Sequence, residues 1–104
     1  QEAPAVSSVN DLVDYPSDSV DRKALITGKK ESVTLFAFGR NQGLSEPAPF
    51  DALVHITDRE AEVSIAGKSQ VVQTGQMTML PKDRSHALQA NVPFKMVLVM
   101  VRHE

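Results

Sequence analysis

The sequence predicts an all-β single domain, an antiparallel sandwich or barrel, on three observations. About eight short segments rich in β-branched or alternating apolar residues recur at intervals of roughly 8–12 residues. Gly, Pro, Asn and Asp punctuate them. No helical period is visible beyond Asn10–Tyr15. With 104 residues, 41% hydrophobic and 23% charged, the chain has the size and composition of one domain with a packed core.

The elements follow in order. Residues 1–23 read as an N-terminal arm, partly irregular, in which Leu12, Val13 and Tyr15 precede the turn cluster Pro16-Ser17-Asp18-Ser19. The barrel is expected over residues 24–104. Its first strand, Ala24–Thr27, stops at Gly28-Lys29-Lys30, and Ser32–Phe38 carries the β-branched and aromatic content of a second. Residues 39–49 hold two Gly and two Pro and read as a loop. Asp51–Thr57 is followed by the turn Asp58-Arg59. Glu60–Ala66 alternates strictly, with Ala61, Val63 and Ile65 on one face and Glu60, Glu62 and Ser64 on the other. Gly67-Lys68 closes a hairpin onto Gln70–Gln73, and Thr74-Gly75 turns again. Gln76–Leu80, Ser85–Ala90 and Phe94–Val101 complete the set.

Composition excludes several functions. Eleven Lys and Arg against thirteen Asp and Glu give a net charge of −2, without the basic stripe that a phosphate backbone requires, so no nucleic-acid partner is expected. There is no Cys, hence no disulfide, thiolate metal site or cysteine nucleophile. No apolar run reaches the ~18–20 residues of a spanning helix, and no membrane partner is expected. The chain begins Gln1-Glu2-Ala3-Pro4 without an initiator Met, which suits a mature exported or periplasmic protein as well as an excised cytoplasmic domain.

Two stretches resemble the motifs of a known family. Gly75, Pro81 and His86, in Gly75-Gln-Met-Thr-Met-Leu-Pro81-Lys-Asp-Arg-Ser-His86-Ala-Leu-Gln-Ala90, have the spacing of the second cupin motif, with Asp83 in place of its inner glycine and Ala90 in place of its asparagine. Gly43-Leu-Ser-Glu-Pro-Ala-Pro-Phe-Asp51-Ala-Leu-Val54 resembles the first motif of small one-domain cupins, in a degenerate form. The chain is thus similar to small single-domain cupins of the RmlC-like, cupin 2 conserved-barrel type over residues 24–102. The resemblance implies an antiparallel double-stranded β-helix, or jelly-roll barrel, whose strands line a pocket.

Metal-binding members of such a family converge two His and a carboxylate from the first motif with one His from the second. Here the first-motif His positions fall at Ser45 and Pro47, while the resemblance places Asp51 at the carboxylate and His86 at the last His. The expectation is a pocket without a metal cofactor. The alternative is a divalent metal at a relocated site of Asp51, His55 and His86, with Glu46 as a fourth ligand, as in a dioxygenase or isomerase. Residues 51, 53 and 55 share one strand face, so an inward Asp51 would bring His55 inward with it. Periodicity alone argues the reverse, with Ala52, Val54 and Ile56 in the core and Asp51 and His55 in water. Burial of both faces reconciles the two, and for that reason a homodimer packing through an outer sheet face or an edge strand is expected.

All four Met residues, Met77, Met79, Met96 and Met100, lie in the last third of the chain. They suggest an adaptable apolar pocket for a small-molecule ligand, with His86, Asp51, His55, Met77, Met79 and Met96 as its candidate residues, or else plain core packing. Lys82-Asp83-Arg84 is a charged turn that is either solvated or steers an anionic ligand, and His103 reads as a solvated tail residue. The functional expectation is a non-catalytic small-molecule binding or assembly module; whether the chain is an enzyme stays open.

Overall fold

In the computed structural model, residues 5–45 and 50–102 are described. The readings of Glu46, Pro47 and His103 lie outside these residues. Nine strands form among the described residues: β1 Val20–Thr27, β2 Glu31–Phe38, β3 Gly43–Ser45, β4 Phe50–Asp58, β5 Glu60–Ile65, β6 Lys68–Gln73, β7 Met77–Leu80, β8 His86–Gln89 and β9 Phe94–Arg102. One strand was not expected. β3 is three residues long, lies in the tract read as a loop, and pairs Leu44 with Leu88 of β8. β1 opens at Val20 rather than Ala24, so residues 20–23, read as arm, are barrel strand. The charged run Asp21-Arg22-Lys23 hides that start.

The strands form two antiparallel sheets, ordered β1-β2-β9-β4-β7 and β3-β8-β5-β6. The chain alternates between them, and their inner faces close on each other as a jelly roll. Strand β4 crosses from the first sheet into β5 of the second. A register shift between Ile56 and Asp58 bends it there, and Arg59 sits at φ 62 in the turn. Gly75, at φ 86, returns the chain to the first sheet, its N–H donating to Ile56 O at 2.9 Å.

The core follows from period-two alternation. Phe36, Phe38, Ala52, Val54, Ile56, Phe94, Met96 and Leu98 of one sheet pack against Ala61, Val63, Val72 and Leu88 of the other. Phe38 and Phe94 are register partners with rings stacked at 4.5 Å. Each of these side chains larger than Ala contributes roughly 1.5–3 kcal/mol by leaving water.

The arm is fastened to the outer face of the five-stranded sheet. Val13, with Leu12 beside it, covers Leu35, Ala37 and Val97. Asn10 Nδ2 donates to Thr57 O at 2.8 Å, and Lys95 Nζ donates to Asn10 O at 2.5 Å and stands 4.8 Å from the Tyr15 ring centroid. The Tyr15 hydroxyl donates to the Asp58 carboxylate. Burial, and then that hydrogen bond, push the Tyr15 pKa above its usual range.

Two predictions concern stability. The β5–β6 hairpin turns on Ala66 and Gly67, at φ 50 and 83, the two-positive-φ geometry that favours Asn-Gly. Ala66 is exposed, and Ala66→Asn is expected to stabilise by about 0.5–1 kcal/mol. Thermal denaturation should show this as a rise of about 3–6 °C. Tyr15→Phe is expected to cost about 0.5–1 kcal/mol, a figure already discounted for solvent exposure. Because the folded-state pKa is raised, this contribution is complete below about pH 10 and is lost as pH rises through the folded value. Denaturation of both proteins across that range should show the curves converging on the alkaline side.

Candidate functional site

Between the sheets lies a cavity of about 160 Å³. Its walls are Phe36 of β2, Leu44 of β3, Phe50 and Ala52 of β4, Leu80 of β7, Leu88 of β8, and Leu98 and Met100 of β9. Arg22 of β1 and His86 of β8 are its two titratable lining residues. Neighbouring elements fix both. Arg22 pairs in register with Phe36 and shares the inward face with Val20, and its guanidinium carbon stands 5.1 Å from the Phe36 ring centroid. His86 pairs with Ile65 and points the same way as Leu88, two residues on, which is 1% exposed. His86 Nδ1 is buried with no hydrogen-bond partner among the described residues, an arrangement that costs roughly 1–3 kcal/mol, while the His86 ring contributes to the cavity wall.

The turn before His86 supports the motif assignment. Asp83, which stands where the second motif has glycine, adopts φ 61. Short polar side chains tolerate that left-handed region better than most. Proline at 81 and the positive φ at Gly75 complete the same frame.

The remaining candidate residues do not gather around His86. On β4, Ala52, Val54 and Ile56 are 4%, 0% and 0% exposed. Alternation therefore puts Asp51 and His55 on the outer face of the sheet, with His55 exposed and Asp51 Oδ1 accepting from Lys82 N–H at 2.7 Å. The inward residue near the expected carboxylate position is Ala52, one step along, and the resemblance placed Asp51 one residue out of phase. Met77 and Met79 of β7 lie on the outer face too, 52% and 49% exposed, opposite His55 and Leu53. Met96 is fully buried in the core without lining the cavity, and of the four methionines Met100 lines it.

The trio Asp51, His55 and His86 is thus divided between the two sides of a sheet. Among the described residues no group of three His, Cys, Asp or Glu converges. The described lining supplies one imidazole and no carboxylate, a donor set that does not fit a divalent ion. Arg22 escaped sequence reasoning because its neighbours are charged. Its alternation with Val20 and Ala24, opposite Phe38 and Thr34, is the signal that finds it.

With the geometry described, comparison defines the class. A conserved protein of unknown function from Streptococcus pyogenes superposes with a TM-score of 0.92 at 28% identity, covering 100% of this chain and 92% of its own. A cupin superfamily protein from Desulfitobacterium hafniense gives 0.89 at 22% identity, covering 99% and 94%. A cupin 2 conserved barrel domain protein from Leptotrichia buccalis gives 0.85 at 30% identity, covering 89% of this chain and 46% of that one. No protein-family model matches the sequence, and no curated protein matches it. By fold, the chain is a small cupin domain.

Proposed function

We propose that this cupin domain binds a small, mainly apolar molecule in its cup, without a metal ion, and works as a homodimer. The observation that carries the binding reading is the partly open, mainly apolar cavity between the sheets, with Arg22 and His86 in its lining. Well-formed apolar pockets with a few convergent polar groups are the usual places where small molecules bind. His86 would orient the ligand, and the flexible Met100 would adjust to its shape.

The dimer reading is supported by the outer face of the five-stranded sheet. Registration aligns Ile26, Val33, Val99, Leu53 and Met79 into one apolar row across β1, β2, β9, β4 and β7. At the usual strand spacing that row is about 19 Å wide. Ile26 is 58% exposed at one end, and Met79 and its neighbour Met77 are about half exposed at the other. The arm covers Leu35 and Val97 but not this row. A second copy turned about a two-fold axis would lay an equal row against it, which is how an isologous interface is built. The face would then be buried without a change to the cup.

Two experiments test these readings. Titration with benzyl alcohol, followed by amide chemical shifts, should perturb resonances around Leu88, Leu98 and Met100, with or without a chelator. Met100→Trp, which fills the cup, should weaken this at least about tenfold. Shifts scattered over the surface, or none at all, would overturn the cup as a binding site, and binding that disappears with the chelator would overturn its metal-free character. Light scattering should give twice the chain mass for the unaltered protein, and the chain mass for the double variant Ile26→Lys, Met79→Lys. A monomer at roughly 100 μM before substitution would rule the dimer out.

A further inference from the structure

We infer that the ligand of the cup is a compact monocarboxylate, an aromatic or branched aliphatic acid of about the size of benzoate. This rests on the small-molecule reading above and specifies its chemistry. Arg22 and His86 line the cavity, and no carboxylate stands among its described lining residues. Arg22 is always charged and has donors alone, and an imidazole offers an N–H on at least one of its nitrogens. The other walls, Phe, Leu, Ala and Met, carry no charge and no strong side-chain acceptor. A lining with one fixed cation and no carboxylate among its described residues is complementary to an anionic ligand, and a pair of carboxylate oxygens fits a guanidinium best.

Two further features narrow the class. Arg22 makes no ion pair with a described residue, and its guanidinium lies near the Phe36 ring, 5.1 Å from the centroid. An aromatic ring holds a planar guanidinium by cation–π attraction while leaving N–H groups free. Such a fork meets a carboxylate through two parallel hydrogen bonds, a geometry that neither an alcohol nor an amine reproduces. The cavity, at about 160 Å³, is close to the size of an apolar cavity that accepts one benzene, about 150 Å³. The body of the ligand is therefore one ring or one short branched chain. It lies against Phe50, Leu98 and Met100, with the carboxylate directed to Arg22 and the His86 ring.

The test compares three probes of one size on the unaltered protein: benzoate, benzyl alcohol and benzylamine, each titrated by calorimetry and amide shifts. Benzoate should bind at least about tenfold more tightly than the alcohol, and benzylamine more weakly than either. Arg22→Gln should bring benzoate down at least about tenfold and lower the alcohol far less, so that the preference for the acid disappears. Arg22 is exposed on β1, and an unchanged thermal melt checks that the variant is folded. His86→Gln should also weaken benzoate, with a smaller effect on the alcohol. Equal affinity for benzoate and alcohol, or a benzoate affinity unmoved by Arg22→Gln, would overturn the carboxylate inference while the cup remained a small-molecule site. Failure of all three probes to perturb the cup would overturn the small-molecule reading itself.

Discussion

A β-strand can show only alternate residues to one side, and in this domain strand β4 is where that constraint decides the rest. Ala52, Val54 and Ile56 are all but completely buried between the sheets, which leaves Asp51, Leu53 and His55 facing outward. A shift of one residue would bury a carboxylate and an imidazole without partners and expose three core side chains, at a cost of several kcal/mol. The register of β9 and β7 on either side follows from the same choice, as Leu98 and Thr78 both pair with Val54. The location of the cup and the composition of the outer face are thus two results of one alternation.

The described lining of the cup follows from the same alternation. With Ala52 inward, β4 offers the cavity a methyl group rather than a ligand, and Phe50 beside it closes the wall with a ring. His86 keeps its inward position because β8 is held between β5 and β3, with His86 itself in register with Ile65 of β5. What survives is one imidazole in an apolar chamber, joined by a guanidinium from a strand outside both motifs.

Much of this was legible in the residues. Strand spacing gave the all-β class, the glycine, proline and histidine of the second motif gave the fold family, and alternation in Glu60–Ile65 marked Ala61 and Val63 as core. Failures arose where two signals competed. For Asp51, the pull of motif alignment opposed the apolar period of Ala52, Val54 and Ile56, and the period was correct because burial energy acts on each residue whereas alignment tolerates a slip. Met77 and Met79 share a face, but Leu80, a step out of phase, is the β7 side chain that reaches the core. β3 was hidden by its brevity, since three residues including a glycine carry almost no pattern, and its formation depends on β8 as a partner. Arg22 required knowledge of which strand faced Phe36, which no local pattern contains.

The way the N-terminal segment is held has an effect on how the protein would come apart. Its polar attachments, through Asn10, Lys95 and Tyr15, lie at or near the surface, its buried anchor is the single side chain of Val13, and none of these belongs to the strand ladders. It can therefore peel away as a separate unit while every rung of both sheets stays closed. Such peeling would uncover Leu35 and Val97 directly beside the Val33–Val99 row, merging two modest greasy areas into one broad strip. A cut by a protease between Pro16 and Ser19 would make that state permanent, leaving a folded body more prone to clump than the intact chain.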